Sequence, residues 1–141
     1  MSHEIANPLE FIKAGKAIFT VKNEETKNRF TYKVSKCKDK DIWFVSVLTG
    51  SDNDNDYTYI GTVFGETFKL TKNSKLNKDA ISVRAFHWVW YNMVKNNYLG
   101  KDMPENVKIY HEGRCGRCGR TLTVPESIES GFGPECVKFA A

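Results

Sequence analysis

Hydrophobic and polar residues alternate along most of the stretch from residue 17 to residue 70, where β-branched and aromatic residues are frequent. This alternation is typical of strands that bury one face. It predicts five strands, at residues 17–21, 29–34, 42–48, 57–64 and 67–70. The intervening segments are short and rich in turn residues, so we expect consecutive strands to pair as antiparallel hairpins in a meander.

Two other segments have helical patterns. Near the N-terminus, Asn7 is a suitable N-cap for a short helix that starts at Pro8 and stops at Gly15. A second helix of about fifteen residues is predicted after Asp79 or Ser82, either of which can cap it. Its apolar residues recur at steps of three and four and are expected to cover one face of the sheet: Phe86, Val89, Trp90, Met93 and Val94.

The amino-acid composition indicates what class of protein this is and where in the cell it is found. Hydrophobic residues make up 40% of the chain and aromatic residues 13%, which is typical of a folded protein. The formal charge of +4 is compatible with an acidic partner such as nucleic acid. No apolar run is long enough to span a bilayer, and the first residues lack the pattern of a secretory signal. We therefore expect a cytoplasmic protein without a membrane partner.

Three of the four cysteines lie close to the C-terminus. Two residues separate Cys115 from Cys118, a spacing that lets both sulfurs face one ion, and the glycines between and after them permit a tight turn. Cys136 follows in Gly-Phe-Gly-Pro-Glu-Cys. Disulfides are disfavoured in the cytosol, so this pattern predicts a structural Zn²⁺ site.

A tetrahedral zinc ion needs a fourth ligand. His111 precedes Cys115 by four residues and is predicted to supply it, because it can reach the ion without the chain crossing the domain. An exposed His111 beside the site is the alternative, and an open fourth position holding water would permit a zinc hydrolase. The remaining candidates are His3, His87, Cys37, Glu112 and Glu135.

The cysteine segment also resembles a known family. Cys-Gly-Arg-Cys-Gly-Arg-Thr-Leu-Thr-Val-Pro-Glu-Ser, starting at Cys115, and Gly-Phe-Gly-Pro-Glu-Cys, ending at Cys136, are similar to the small zinc-ribbon module of an uncharacterised family of bacteriophage, prophage and plasmid proteins. The similarity covers about the last thirty residues, with weaker similarity around Trp43 and Tyr57. It implies zinc binding and an origin in a mobile element, hence a place in the host cytoplasm, and it implies no activity.

These patterns together predict an α+β fold: an antiparallel meander sheet packed by one main helix, with a small C-terminal zinc ribbon of the treble-clef or knuckle type. A connector from the main helix leads to a short strand at residues 107–110, where the zinc segment begins. We expect an α+β domain over residues 1–104 and a zinc-binding ribbon over residues 105–141.

Arg114, Arg117 and Arg120 recur at three-residue intervals around the first two cysteines. Guanidinium groups match phosphate geometry, so the turn could contact nucleic acid. Alternatively, the arginines screen the thiolates and pair with nearby glutamates. On the sheet, aromatic residues interspersed with lysines could stack bases, although a buried core is the commoner role; these aromatics are Phe30, Tyr32, Trp43, Tyr57 and Tyr59.

The function that we predict is binding without catalysis. The first hypothesis is a zinc-stabilised protein of a phage or other mobile element that contacts nucleic acid through the arginine-rich ribbon. The second is a protein-interaction module that inhibits or recruits a host or defence factor, with Trp88 as a possible contact. The zinc hydrolase is the third, and no small-molecule substrate is evident because glycines and arginines flank the cysteines.

Overall fold

The computed structural model describes residues 3–5, 8–52, 55–96, 106–123 and 125–139. Its strands are β1 (His3–Glu4), β2 (Lys16–Asn23), β3 (Arg29–Lys36), β4 (Ile42–Leu48), β5 (Tyr57–Phe64), β6 (Thr67–Lys69) and β7 (Val107–His111). The helices are α1 (Pro8–Ile12), α2 (Ile81–Asn96) and α3 (Pro125–Ser130), and a 3₁₀ turn spans Cys136–Phe139. The α+β class is confirmed. The predicted cap Asn7 and the part of the connector at residues 97–104 lie outside the described residues.

All neighbouring strands pair antiparallel in one sheet with the order β1-β7-β2-β3-β4-β5-β6. From β2 to β6 the order follows the chain, as the meander prediction requires. β7 instead crosses back and inserts between β1 and β2, with Val21 opposite Ile109 and Phe19 opposite His111. The strand that leads into the cysteine segment is thus part of the same sheet as the preceding strands.

One face of the sheet packs against α2. Tyr32 on β3 and Phe86 on α2 are both fully buried, with ring centroids 5.2 Å apart, and the Tyr32 hydroxyl donates to Ser82 O at 2.6 Å. The Trp90 indole N–H donates to Glu66 O at 3.0 Å, which satisfies its one donor inside the core. Phe30, Tyr32 and Val34 share this face of β3, as the alternation predicts; Tyr32 is a core aromatic and Phe30 packs partly buried against the core.

α2 begins at Ile81, and the C=O of Ala80 accepts the hydrogen bond from Arg84 N–H. Ala80 therefore holds the cap position, and the prediction that Asp79 or Ser82 caps the helix is wrong. Asn77 acts locally instead: its side-chain oxygen accepts from Asp79 N–H at 2.8 Å, which fixes the turn before the helix.

The buried residues form one core cluster that includes α1, the sheet, α2 and the cysteine segment. Phe11 of α1, Leu122 and Phe132 belong to it together with Cys115 and Cys136. The two segments predicted as separate domains therefore share a core. Among the described residues, no helix is long and apolar enough to cross a membrane.

Candidate metal centre

The chain turns sharply after β7 and places two cysteines on one tight loop. Arg114 and Thr121 form an antiparallel bridge, and Cys115 N–H donates to Arg120 O at 2.8 Å. Within the loop, Gly119 N–H donates to Cys115 O at 2.9 Å, and Gly119 has a φ of 81° that favours glycine. These bonds hold Cys115 and Cys118 on the same side of the loop.

The third cysteine reaches the same point through α3. This helix ends at Ser130, and the following Gly131 has a φ of 82° and donates its N–H to Ser127 O at 2.8 Å. The N–H of Gly116 donates to Gly131 O at 2.9 Å and joins the end of α3 to the cysteine loop. The 3₁₀ turn then begins at Cys136, next to the first two cysteines.

The sulfur atoms of Cys115, Cys118 and Cys136 all lie within 4.8 Å of one another. In a tetrahedral zinc site, a Zn–S bond length of about 2.3 Å places neighbouring sulfurs about 3.8 Å apart. The three sulfurs therefore need to approach by at most about 1 Å to share one ion. This group could hold a metal ion, with Cys115 and Cys136 buried and Cys118 half-buried.

The protein donates hydrogen bonds to these sulfurs. Arg117 N–H and Cys118 N–H lie 3.4 Å and 3.5 Å from Cys115 Sγ. Burial raises the pKa of the Cys115 thiol, but backbone N–H donors, including that of Gly133, outweigh burial and lower the pKa to about 7. The pKa of Cys136 is raised, mainly by burial, although a hydrogen bond from Arg117 Nη1 at 3.5 Å acts in the opposite direction and lowers it. Donors of this kind favour the thiolate, which is the form that binds metals.

His111 is fully buried, and backbone groups occupy both of its ring nitrogens. Nδ1 accepts from Gly113 N–H at 3.0 Å, so the neutral ring carries its proton on Nε2 and donates to Ile128 O at 2.6 Å. In this tautomer neither nitrogen has a free lone pair. The structure brings the three cysteines together and does not bring His111 into their group. Ligation by His111 stays a prediction, and it requires at least that Nδ1 release Gly113 N–H, since Nε2–H can keep donating to Ile128 O while Nδ1 binds the ion.

The side chain of His3 lies outside the described residues, and the four other ligand candidates lie elsewhere. Glu112 Oε1 accepts from the Thr20 hydroxyl at 2.9 Å, and Glu135 pairs with Lys138 at 3.5 Å. His87 is exposed on α2, with its ring centroid 4.5 Å from that of Tyr91. Cys37 is a half-buried free thiol. Within the described part of the chain, none of them joins the cysteine group.

Phe11 of α1 forms a wall of the centre that the sequence did not predict. Its ring stacks on His111, with centroids 5.8 Å apart, and it also contacts Phe132 at 5.8 Å. A Cβ atom added to Gly116 would lie 2.7 Å from this ring, and one added to Gly131 would lie 2.8 Å from it. Both glycines therefore make room for Phe11. The only sequence signal was the presence of these glycines; the metal prediction assigned Gly116 to the tight turn and gave Gly131 no role.

Arg114, Arg117 and Arg120 are all exposed on the loop that carries the cysteines. The start of β2 lies against this loop: Lys16 N–H donates to Gly116 O at 2.8 Å, and a Cβ on Gly119 would lie 3.7 Å from Lys16 Cδ. Lys16 is therefore a basic neighbour of the arginines that their sequence spacing does not reveal.

A comparison with known families gives a match to this segment. Residues 108–138 match the model of DUF6011, a family of unknown function. The match runs from β7 into the 3₁₀ turn, covers His111 and all three clustered cysteines, and spans less than half of the chain. It supports the resemblance to an uncharacterised family, and the family's description mentions neither a phage source nor zinc. No curated protein and no solved structure matches the chain significantly.

Proposed function

We propose that this chain is a zinc-stabilised binding protein of a phage or other mobile element, without enzymatic activity, which contacts nucleic acid through the arginine-rich cysteine loop. The observation that carries the proposal is the exposure of Arg114, Arg117 and Arg120 on the loop that the metal would fix. Guanidinium forks on a rigid loop are suited to phosphate oxygens.

Zinc is the proposed ion because a set of three thiolates is soft and zinc is a usual metal of sites with such ligands. Cys115 and Cys118 would hold it from the loop, and Cys136 from the 3₁₀ turn. The ion would act as a cross-link between these two segments, and its binding free energy would contribute to their folding. A structural cross-link of this kind requires no general base beside the site.

The charges around the loop support an anionic partner. Neither Arg120 nor Lys16 has a carboxylate within salt-bridge distance among the described residues. Their positive charge is thus available to a ligand. A protein that neutralises several phosphates releases the same number of counterions, so its affinity must fall steeply as salt increases.

The test is fluorescence anisotropy with labelled oligonucleotides at several salt concentrations, on wild type and on the triple variant R114A/R117A/R120A. We expect the triple variant to bind at least about tenfold more weakly and to reduce the slope of log K against log salt by about 2. Both proteins must hold one equivalent of zinc. The matched control, K27A/K72A/K78A, removes the same charge from exposed positions away from the loop. Equal losses in the two variants, or no salt-dependent binding by wild type, would contradict the proposal.

A second candidate function, contact with a host or defence protein, is favoured by one observation. Trp88 is 42% exposed on α2, and Ile81 on the same helix is 62% exposed. Large exposed apolar side chains are typical of protein contacts. A defined protein that copurifies with wild type and is lost from Trp88→Ala, while Phe64→Ala retains it, would support this candidate. Retention by Trp88→Ala would exclude Trp88 as the contact.

A further inference from the structure

The sheet has a second face, opposite α2, which we call the open face. Because side chains alternate along a strand, Lys33 points away from the α2 side that Tyr32 and Val34 occupy. Strand pairing places Ile18, Ser46 and Tyr59 beside Lys33 in one row across the sheet: Ile18 faces Lys33, Lys33 faces Ser46, and Ser46 faces Tyr59. The open face is defined here by β2, β3, β4 and β5.

A second row lies next to the first, toward the cysteine loop. Lys16 faces Ser35, Ser35 faces Phe44, and Phe44 faces Thr62. This row starts at Lys16, the lysine that lies beside Gly119 of the cysteine loop. The open face and the arginine-rich loop are therefore continuous through one basic side chain.

Two aromatic side chains of β4 and β5, Phe44 and Tyr59, lie on the open face, opposite the core. Phe44 is 42% exposed, and its ring centroid lies 6.5 Å from that of Tyr59. A bulge in the pairing of β4 with β5 skips Ile60, which is fully buried, and leaves Tyr59 opposite Ser46 on the open face. Without this irregularity, alternation would place Tyr59 and Phe44 on different faces.

Positive charge accompanies these rings. Lys33 Nζ lies 5.5 Å from the centroid of the Tyr57 ring, which faces the same side. Neither Lys16 nor Lys33 has a carboxylate within salt-bridge distance in the described part of the chain. The carboxylates Glu4 and Glu24 of the neighbouring strands pair instead with Lys108 and Lys22. The centre of the open face thus combines the exposed Phe44 ring and the half-buried rings of Tyr57 and Tyr59 with two lysines that have no carboxylate within salt-bridge distance among the described residues.

Resting on the proposed function, we infer that the nucleic acid is single-stranded and that its bases stack on Phe44 and Tyr59 while Lys33, Lys16 and the cysteine loop contact its phosphates. Unpaired bases expose the flat surfaces that aromatic side chains bind, whereas a duplex buries those surfaces in its own stack. Stacking on aromatic rings tolerates any base, so we expect little sequence preference.

The experiment measures the affinity of the full zinc-loaded chain for three labelled probes of about 20 nucleotides: oligo-dT, oligo-U and a DNA hairpin duplex. The variants are Phe44→Ala and Tyr59→Ala. The matched control is Trp88→Ala, which removes an aromatic side chain of equal exposure, 42%, from α2. Zinc content and the thermal unfolding midpoint of each variant verify that it is folded.

We expect wild type to prefer the single strands, and Phe44→Ala to weaken their binding about tenfold with an unchanged salt slope, since it removes stacking and no charge. Duplex binding should not change. Phe44→Trp adds an indole at the same place, and its fluorescence should be quenched by oligo-dT or oligo-U while binding is retained. A preference for oligo-dT would indicate that the ligand is single-stranded DNA, and a preference for oligo-U would indicate single-stranded RNA.

Three results would overturn this inference while leaving the proposed function intact: equal affinity for the single strands and the duplex, an unchanged affinity of Phe44→Ala, or equal effects of Phe44→Ala and Trp88→Ala. In each of these cases R114A/R117A/R120A would still lose binding. If wild type binds none of the probes at low salt, both the inference and the proposed function fail.

Discussion

Replacing His111 with alanine is the sharpest test of the geometry of the metal centre. The imidazole is fully buried, donates to Ile128 O at 2.6 Å, accepts from Gly113 N–H at 3.0 Å and stacks on Phe11. Its removal leaves two partly buried backbone groups, Gly113 N–H and Ile128 C=O, without this partner, at up to about 1–3 kcal/mol each, and opens a cavity. We therefore expect the free energy of unfolding to fall by about 3–5 kcal/mol.

The structure predicts that this loss of stability occurs without loss of the metal. Because both ring nitrogens bond to the backbone and the three sulfurs form their own group, the folded variant should still hold one zinc ion. Urea denaturation followed by tryptophan fluorescence gives the stability, and native mass spectrometry gives the zinc content. His87→Ala, an exposed histidine on α2, should change stability by less than about 0.5 kcal/mol.

The opposite result would refute this reasoning. His111→Gln keeps an amide that can donate to Ile128 O, and it is expected to retain more stability than His111→Ala. If both variants fold but lose zinc while His87→Ala keeps it, then His111 is the fourth ligand, as its spacing from Cys115 predicts. The hydrogen bond from Gly113 N–H to Nδ1 would then be replaced when the ion binds, and Nε2–H could still donate to Ile128 O.

Two further predictions concern the cross-link and its support. Cys118→Ser should lose zinc and unfold the cysteine segment, whereas the control Cys37→Ser should keep the zinc and the folded segment. Hydrogen exchange over residues 113–139 measures the difference. Equal protection in the two variants would contradict a metal role for Cys118. Phe11→Ala should lower stability by about 3–5 kcal/mol and speed the transfer of zinc to a chelator, because its ring packs against Gly116 and Gly131. An unchanged transfer rate would show that α1 does not support the centre.

The strands were predictable because their determinants are local. Alternating side chains with turn residues between them define β2 to β6 within one or a few residues at each end, and the apolar stripe defines α2. The two-residue spacing of Cys115 and Cys118 likewise indicated a metal group, which Cys136 joins in the structure.

Other features depend on contacts between distant residues and could not be read from a local pattern. The place of β7 between β1 and β2 arises from pairing such as that of Val21 with Ile109. The spacing from His111 to Cys115 shows that they are close in sequence, but it cannot show that Gly113 and Ile128 already occupy the ring. The bulge at Ile60 and the packing of Phe11 against the metal centre likewise depend on contacts between residues that are distant in sequence.

The insertion of β7 also has a consequence for the order in which the chain can fold. While the polypeptide is being synthesised, β2 emerges long before β7, so its outer edge must wait for residues 107–111 before it gains a partner. An unpaired strand edge is a site for association with other chains. The strand that leads into the cysteine segment therefore also covers this edge, and a protein truncated before residue 107 would expose the edge of β2 to association with other chains.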